Sequence, residues 1–211
     1  MRITKYGQCC MLIEENDVRI FVDPGSYSTQ QNIIKDIDII LITHEHGDHF
    51  DIESVKTLVK NNPQAKLFTT HTVGELLKKE DIPFTVIKAG ETVTEKGITI
   101  EAIGELHAIL HSSIPQGENV GFLIAGRLFY PGDAFTLPGK PVDILALPVQ
   151  GPWLKIGESI DYALAIKPKA CFPVHDAINK NPGMTNTLGE RVLKPMGIPY
   201  TVLELDNAHT F

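Results

Sequence analysis

The segment "ITHEHGDHF", residues 42–50, sets His44, His46, Asp48 and His49 within six positions. Imidazole and carboxylate are poor core material without partners, and a metal ion is a partner that suits both. In an extended backbone His44 and His46 point the same way, while Asp48 and His49 follow where the chain turns at Gly47. Two ligand pairs from one loop can feed two adjacent ions. Neutral imidazole suits zinc and the carboxylate completes a mixed N/O set; manganese and iron accept the same donors.

Neighbouring elements must hold that loop. "IDIILIT" (37–43) leads into it, a β-branched run of the kind covered on both faces. Ile52, Val55, Leu58 and Val59 follow at helical spacing, ahead of Pro63. Upstream, "CCMLIEENDVRIFVDPG" reads as a hairpin turning at Glu14–Asp17 and stopped by Asp23-Pro24-Gly25. Asp23 could accept a proton from a ligand imidazole or cap a turn, and Thr43 could help to orient His44. Downstream, "AKLFTT" reads as a strand and "TVGELLKKE" as a short helix. "GITIEAI" (97–103), "VGFLIA" (120–125), "RLFYPGD" (127–133) and "VDILALPV" (142–149) read as strands, with a tight turn at Gly126. "IGESIDYALAIKP" is a helix, "KACFPVH" a strand ending in a histidine, "TLGERVLKPMG" a last helix and "YTVLEL" a closing strand. Strands first and strand–helix alternation after, in two similar halves, predict stacked sheets with helices outside.

The 211 residues show no low-complexity linker, so one domain spanning 1–211 is expected. With 26 acidic and 19 basic residues the net charge is −7, which argues against a nucleic-acid partner. No apolar run is long enough for a membrane span, and the amino terminus lacks a signal-peptide pattern. Three cysteines, two of them adjacent (Cys9 and Cys10), make a poor disulfide framework and fit a reducing cytoplasm. The adjacent Cys9-Cys10 could serve redox or metal chemistry, but the pair reads best as small apolar residues in a strand.

"THEHGDH" resembles the His-x-His-x-Asp-His signature of the metallo-β-lactamase superfamily, and the remaining motifs of that superfamily appear in order along the chain. The resemblance implies an αββα four-layer sandwich, two mixed sheets with helices outside and metals at one edge between the sheets. It implies a third histidine from "GELHAILHSS", a bridging aspartate from "LFYPGD" and a last histidine from "CFPVH". One ion would then take His44, His46 and His107, the other Asp48, His49 and His175, with Asp133 between them. His107, directly after "ITIEAIGEL", is preferred to His111, which is left free to reach a substrate. Glu45 should point away, and His71 and His209 have no such company. Two divalent ions, zinc foremost, would make hydroxide available at neutral pH, with Asp48 as proton acceptor and shuttle.

Within the superfamily, His46 stands where flavodiiron oxidoreductases carry Glu. Neither the inserted domain of RNA-processing members nor the helical extension of glyoxalase-type thioesterases is expected in these 211 residues. What it resembles is the compact cytoplasmic group that includes the ascorbate-6-phosphate lactonase and N-acylphosphatidylethanolamine phospholipase branches, through "YGQCCMLIEENDVRIFVDPG" and "HSSIPQGENVGFLIAGRLFYPGD". The expected activity is hydrolysis of a small ester or lactone. Alternatives are a phosphodiesterase for a small nucleotide or lipid headgroup, and a metal-binding module without turnover. Trp153, in "ALPVQGPWLKIGESIDYA", reads first as a packing anchor and second as a pocket wall.

Overall fold

A computed structural model describes residues 1–178, 181 and 183–211. The chain runs β1 (Arg2–Gly7), β2 (Cys10–Glu15), β3 (Val18–Val22), β4 (Ile39–Ile42), α1 (Ile52–Asn61), β5 (Lys66–Thr69), α2 (His71–Lys78), β6 (Thr85–Val86), β7 (Thr92–Glu95) and β8 (Ile98–Ile103). It continues through β9 (Gly121–Ile124), β10 (Leu128–Tyr130), β11 (Ile144–Pro148), α3 (Ile156–Ile166), β12 (Ala170–Val174), α4 (Gly183–Leu193) and β13 (Ala208–Thr210). The strands form two sheets, ordered β13-β1-β2-β3-β4-β5-β6 and β12-β11-β10-β9-β8-β7. In each, an antiparallel meander gives way to parallel strands: β3, β4, β5 and β6 in the first, β10, β11 and β12 in the second. These are the two mixed sheets and outer helices expected of the αββα sandwich.

Period-two side-chain direction explains the layering. On β4, Ile39 and Leu41 enter the core between the sheets, while Ile40 and Ile42 enter the core under α1 and α2. Both faces of the strand are covered, hence its unbroken apolar run. The inter-sheet core holds Ile13, Ile20, Phe122, Ile124 and Tyr130; a third core, with Leu145, Leu147, Tyr162 and Leu193, lies between the second sheet and α3 and α4. Asp51 starts α1 by accepting the backbone N–H of Ser54 at 2.9 Å.

Several boundaries differ from the sequence reading. β2 runs on to Glu15, and the hairpin turns on Asn16 and Asp17, both at positive φ. β10 stops at Tyr130, since Pro131 has no N–H to donate and Gly132 turns the chain at φ 64°. Asp133 therefore stands on a loop. "YTVLEL" is not a strand: only Tyr200 bridges, to Cys171, and the closing strand is β13, paired with β1. β1, β6, β7 and β13 are elements that the hydrophobic pattern left unread. No helix among the described residues is long and apolar enough to cross a membrane.

Candidate metal centre

β3, β4, β10 and β12 all deliver polar groups from their carboxyl ends, where parallel strands commonly present a site. After β3 comes Asp23, fully buried, at φ 46°. After β4 come Thr43, His44 and His46, then a turn in which the N–H groups of His49 and Phe50 both donate to the His46 carbonyl. Buried Phe50 anchors that turn in the core under α1. Gly25 lies against it so closely that a Cβ there would sit 1.9 Å from the Asp48 carbonyl oxygen. Asn119 places Asp133 by accepting its backbone N–H at 2.9 Å. His175 follows β12 at φ 59°. His107 is fixed by its N–H to the Gly117 carbonyl and by Ala108, whose N–H donates to the Asp133 carbonyl.

Donor atoms of His44, His46, His107 and Asp133 lie within 4.8 Å of one another, as do those of Asp48, His49 and His175. Asp133 stands between the groups. Its Oδ2 is 3.0 Å from His175 Nε2, 3.4 Å from His107 Nε2 and 3.9 Å from His44 Nε2, and its Oδ1 is 3.2 Å from His49 Nε2. His111 is exposed beside Ser113, Glu45 turns toward Gly117, exposed His71 opens α2, and His209 lies on β13; none of them joins either group.

The outer nitrogens are oriented from behind. His49 Nδ1 donates to Asp23 Oδ2 at 2.7 Å, and His107 Nδ1 to the Ala108 carbonyl at 2.6 Å. Thr43 Oγ1 donates its one proton to Asp23 Oδ2 at 2.8 Å, so it must accept at 2.9 Å from His44 Nδ1. Each of these rings thereby turns Nε2 toward Asp133. Such partners behind a ligand imidazole fix its orientation and raise its basicity.

Among the described residues, His44 Nε2, His49 Nε2, His107 Nε2 and Asp133 Oδ1 are buried without a hydrogen-bond partner. The 3.2 Å approach of His49 Nε2 to Asp133 Oδ1 is an ion-pair contact without hydrogen-bond alignment. An unsatisfied buried polar group costs about 1–3 kcal/mol, and four meet here. Their chemistry, imidazole nitrogen and carboxylate oxygen, is a donor set for divalent metal ions. The residues fit such an ion.

Electrostatics divide the two groups. Burial pushes the pKa of His44 well below the usual imidazole value, with the charge on His49 adding to it, and burial and His107 lower that of His46. Both favour the neutral form, with a lone pair to give. Burial acts the same way on His49 and His175, but carboxylates outweigh it. Asp133 and Asp23 raise His49 well above the ordinary value, and Asp133 and Asp48 raise His175 to about 9. Burial disfavours ionised Asp133 too, yet His49, His107 and His175 hold its carboxyl well below the usual range.

Gln8 and Tyr130 escaped sequence reasoning, and Trp153 and Cys9 were ranked first as packing residues. Trp153 Nε1 donates to Asp133 Oδ2 at 2.9 Å, so this indole is more than a packing anchor. Tyr130 donates to Asp23 Oδ2 at 2.6 Å. The Cys9 thiol lies within 4.8 Å of donor atoms of His49 and Asp133, and burial raises its pKa well above the usual value. Gln8 donates through Nε2 to Asp48 Oδ2 at 2.8 Å. Gln8 and Cys9 are adjacent, Tyr130 and Trp153 lie far along the chain, and none of the four belongs to a local motif. A cavity of about 300 Å³ opens nearby, lined by Thr70, His71, Lys88, Glu118 and Asn119 among others; it contains none of the clustered side chains.

Residues 2–175 match the family model of the beta-lactamase superfamily domain. The chain belongs to that superfamily. It is 37% identical over 183 residues to Protein Rv0786c of Mycobacterium tuberculosis, covering 84% of this chain and 85% of that protein. To UPF0173 protein PYRAB01190 of Pyrococcus abyssi it is 30% identical over 185 residues, covering 83% of each. Further members of the UPF0173 group are described as metal-dependent hydrolases. The crystal structure of a candidate metal-dependent hydrolase from Parabacteroides distasonis superposes with a TM-score of 0.80 at 25% identity, over 97% of this chain and 93% of that one. With such relatives along most of its length, the chain is a metal-dependent hydrolase of the superfamily.

Proposed function

We propose that this hydrolase works with two divalent ions, zinc foremost, on a small carboxylic ester or lactone, within one domain and in a reducing cytoplasm where Cys9, Cys10 and Cys171 stay as thiols. The observation that carries the reading is the convergence of three buried, unpartnered imidazole nitrogens on Asp133, whose Oδ1 is unpartnered too. In this reading His44, His46 and His107 would hold one ion and Asp48, His49 and His175 the other, with Asp133 serving both. Divalent ions so held would supply a water activated near neutral pH and a Lewis acid for the electrophilic oxygen. The protein's own part is orientation and proton handling. Asp23, Thr43 and the Ala108 carbonyl aim the imidazoles; Trp153 and Asn119 aim Asp133. Asp48, at 21% side-chain exposure the most open carboxylate of the set, is the proton acceptor.

An ester or lactone is favoured over a phosphodiester by the charges around the centre. Phosphoryl groups are recognised by Arg and Lys, whereas among the described residues the partners of these side chains are carboxylates, amides, hydroxyls, a backbone carbonyl and an indole. Among the described residues the one buried lysine, Lys5, is paired with Asp176. The test is metal content per chain by elemental analysis, followed by pH-stat assays on lactones and esters beside bis-p-nitrophenyl phosphate. About two ions and acid release from lactone or ester are expected. Turnover confined to the phosphodiester overturns the substrate class, and full metal loading without turnover on any of the three makes the protein a metal-binding module.

A further inference from the structure

Gln8 occupies the turn between β1 and β2, at φ 48° and 1% exposure. Its amide oxygen accepts the backbone N–H of Ala177 at 3.0 Å, which fixes which end of the amide faces which way. The nitrogen then points at the metal centre, 2.8 Å from Asp48 Oδ2 and 3.1 Å from His175 Nδ1. The Gln8 carbonyl also accepts the His175 N–H at 3.2 Å. One residue of the first sheet thus holds the loop after β4, through Asp48, and the loop after β12, through His175 and Ala177.

The loop after β12 needs such holding. His175 sits in the left-handed region, which a β-carbon disfavours by about 1–2 kcal/mol. Beneath it, Lys5 Nζ donates to the Pro173 carbonyl at 3.0 Å and to Asp176. His175 and Asp48 come from opposite sheets, 127 positions apart, and no backbone ladder joins β12 to β4. By contrast, His44 and His46 share one strand end, and His107 is hydrogen-bonded to its own loop.

On the dinuclear reading above, we propose that Gln8 is a positioning residue for the second ion. Its side-chain amide holds Asp48 through Nε2 and the loop of His175 through the Ala177 N–H, beside the backbone tie from His175 N–H to the Gln8 carbonyl, while the group of His44, His46 and His107 stands without it. Loss of a partner behind a metal ligand typically weakens affinity about 10–100-fold, and here the loss should fall on one ion of two.

The test is cobalt titration of metal-stripped full-length protein, followed by visible absorption and by elemental analysis of bound metal. Two variants are compared with wild type: Gln8→Met, which keeps the volume and removes the amide, and Gln8→Asn, which suits the left-handed backbone but falls one methylene short. Wild type should take up two ions. In the variants the first should bind unchanged, with unchanged circular dichroism, and the second about 10-fold or more weaker with an altered cobalt spectrum. If Gln8→Met misfolds, Gln8→Asn decides. Two ions of wild-type affinity in a folded variant, or equal weakening of both, overturns the role of Gln8 and leaves the dinuclear reading intact. A wild type that holds a single ion overturns both.

Discussion

At the scale of single residues, the centre is governed by groups that never face solvent. Asp23 collects hydrogen bonds from Thr43, His49 and Tyr130, so one buried carboxylate orients two of the histidines. Asp133 is served from two sides, by the Trp153 indole at Oδ2 and by Asn119 at its backbone. Phe in place of Trp153 keeps most of the ring packing against Phe135 but removes the N–H. Trp153→Phe should fold normally and bind metal about 10-fold more weakly, measured by competition with a chromophoric chelator. Unchanged affinity would return Trp153 to a packing role.

At the scale of elements, close approach of two loops sets the geometry. The segment after β3 lies against the segment after β4, with the Ser26 N–H donating to the Gly47 carbonyl at 2.8 Å. Gly25 permits this because a Cβ there would overlap the Asp48 carbonyl. Gly25→Ala must push the two segments apart, moving Asp48 and His49 together. Overpacking of this kind costs about 1–3 kcal/mol. A lower melting temperature and reduced metal content should appear together, read by calorimetry and elemental analysis. A variant as stable and as metal-rich as wild type would mean that the loops are not locked by contact.

At the scale of the whole molecule, the two sheets are held in register by the core between them and by polar ties at its margin. Asp38, just ahead of β4, accepts the Arg19 N–H at 2.8 Å and the ammonium of Lys96, which stands in the turn between β7 and β8. Burial alone would raise its pKa, but Lys96 and Arg19 outweigh this and lower it. A carboxyl whose folded pKa is depressed stabilises the fold above its unfolded value, about 3.9, and loses that contribution as pH falls through the lower folded value. Asp38→Asn should therefore melt below wild type at pH 7, with the difference closing as pH drops under the ordinary carboxylate range. A gap that persists in acid would assign the effect to packing instead of charge.

Local pattern was enough for the elements that carry strong periodicity and for the residues that lie together in sequence. β4 reads from its unbroken apolar run because both its faces are covered, and α1 reads from Ile52, Val55 and Leu58 because one of its faces is. His44, His46, Asp48 and His49 are legible as a group because one loop holds them. His107, Asp133 and His175 were reachable only through a family resemblance, since each stands alone in its stretch of chain. Gln8, Asn119 and Tyr130 had no sequence signal and Trp153 only a weak one, because amide, phenol and indole serve many purposes and the partner that gives each its role lies 14 to 169 positions away. The short strands β6, β7 and β13 were invisible for a related reason: two to four residues with little burial have no periodicity to show, and they exist through pairing with longer neighbours. Sequence alone determined the layered fold and the kind of chemistry; the tertiary structure decided which distant side chains aim the donors, because orientation depends on contacts across the gap between two sheets that no local pattern encodes.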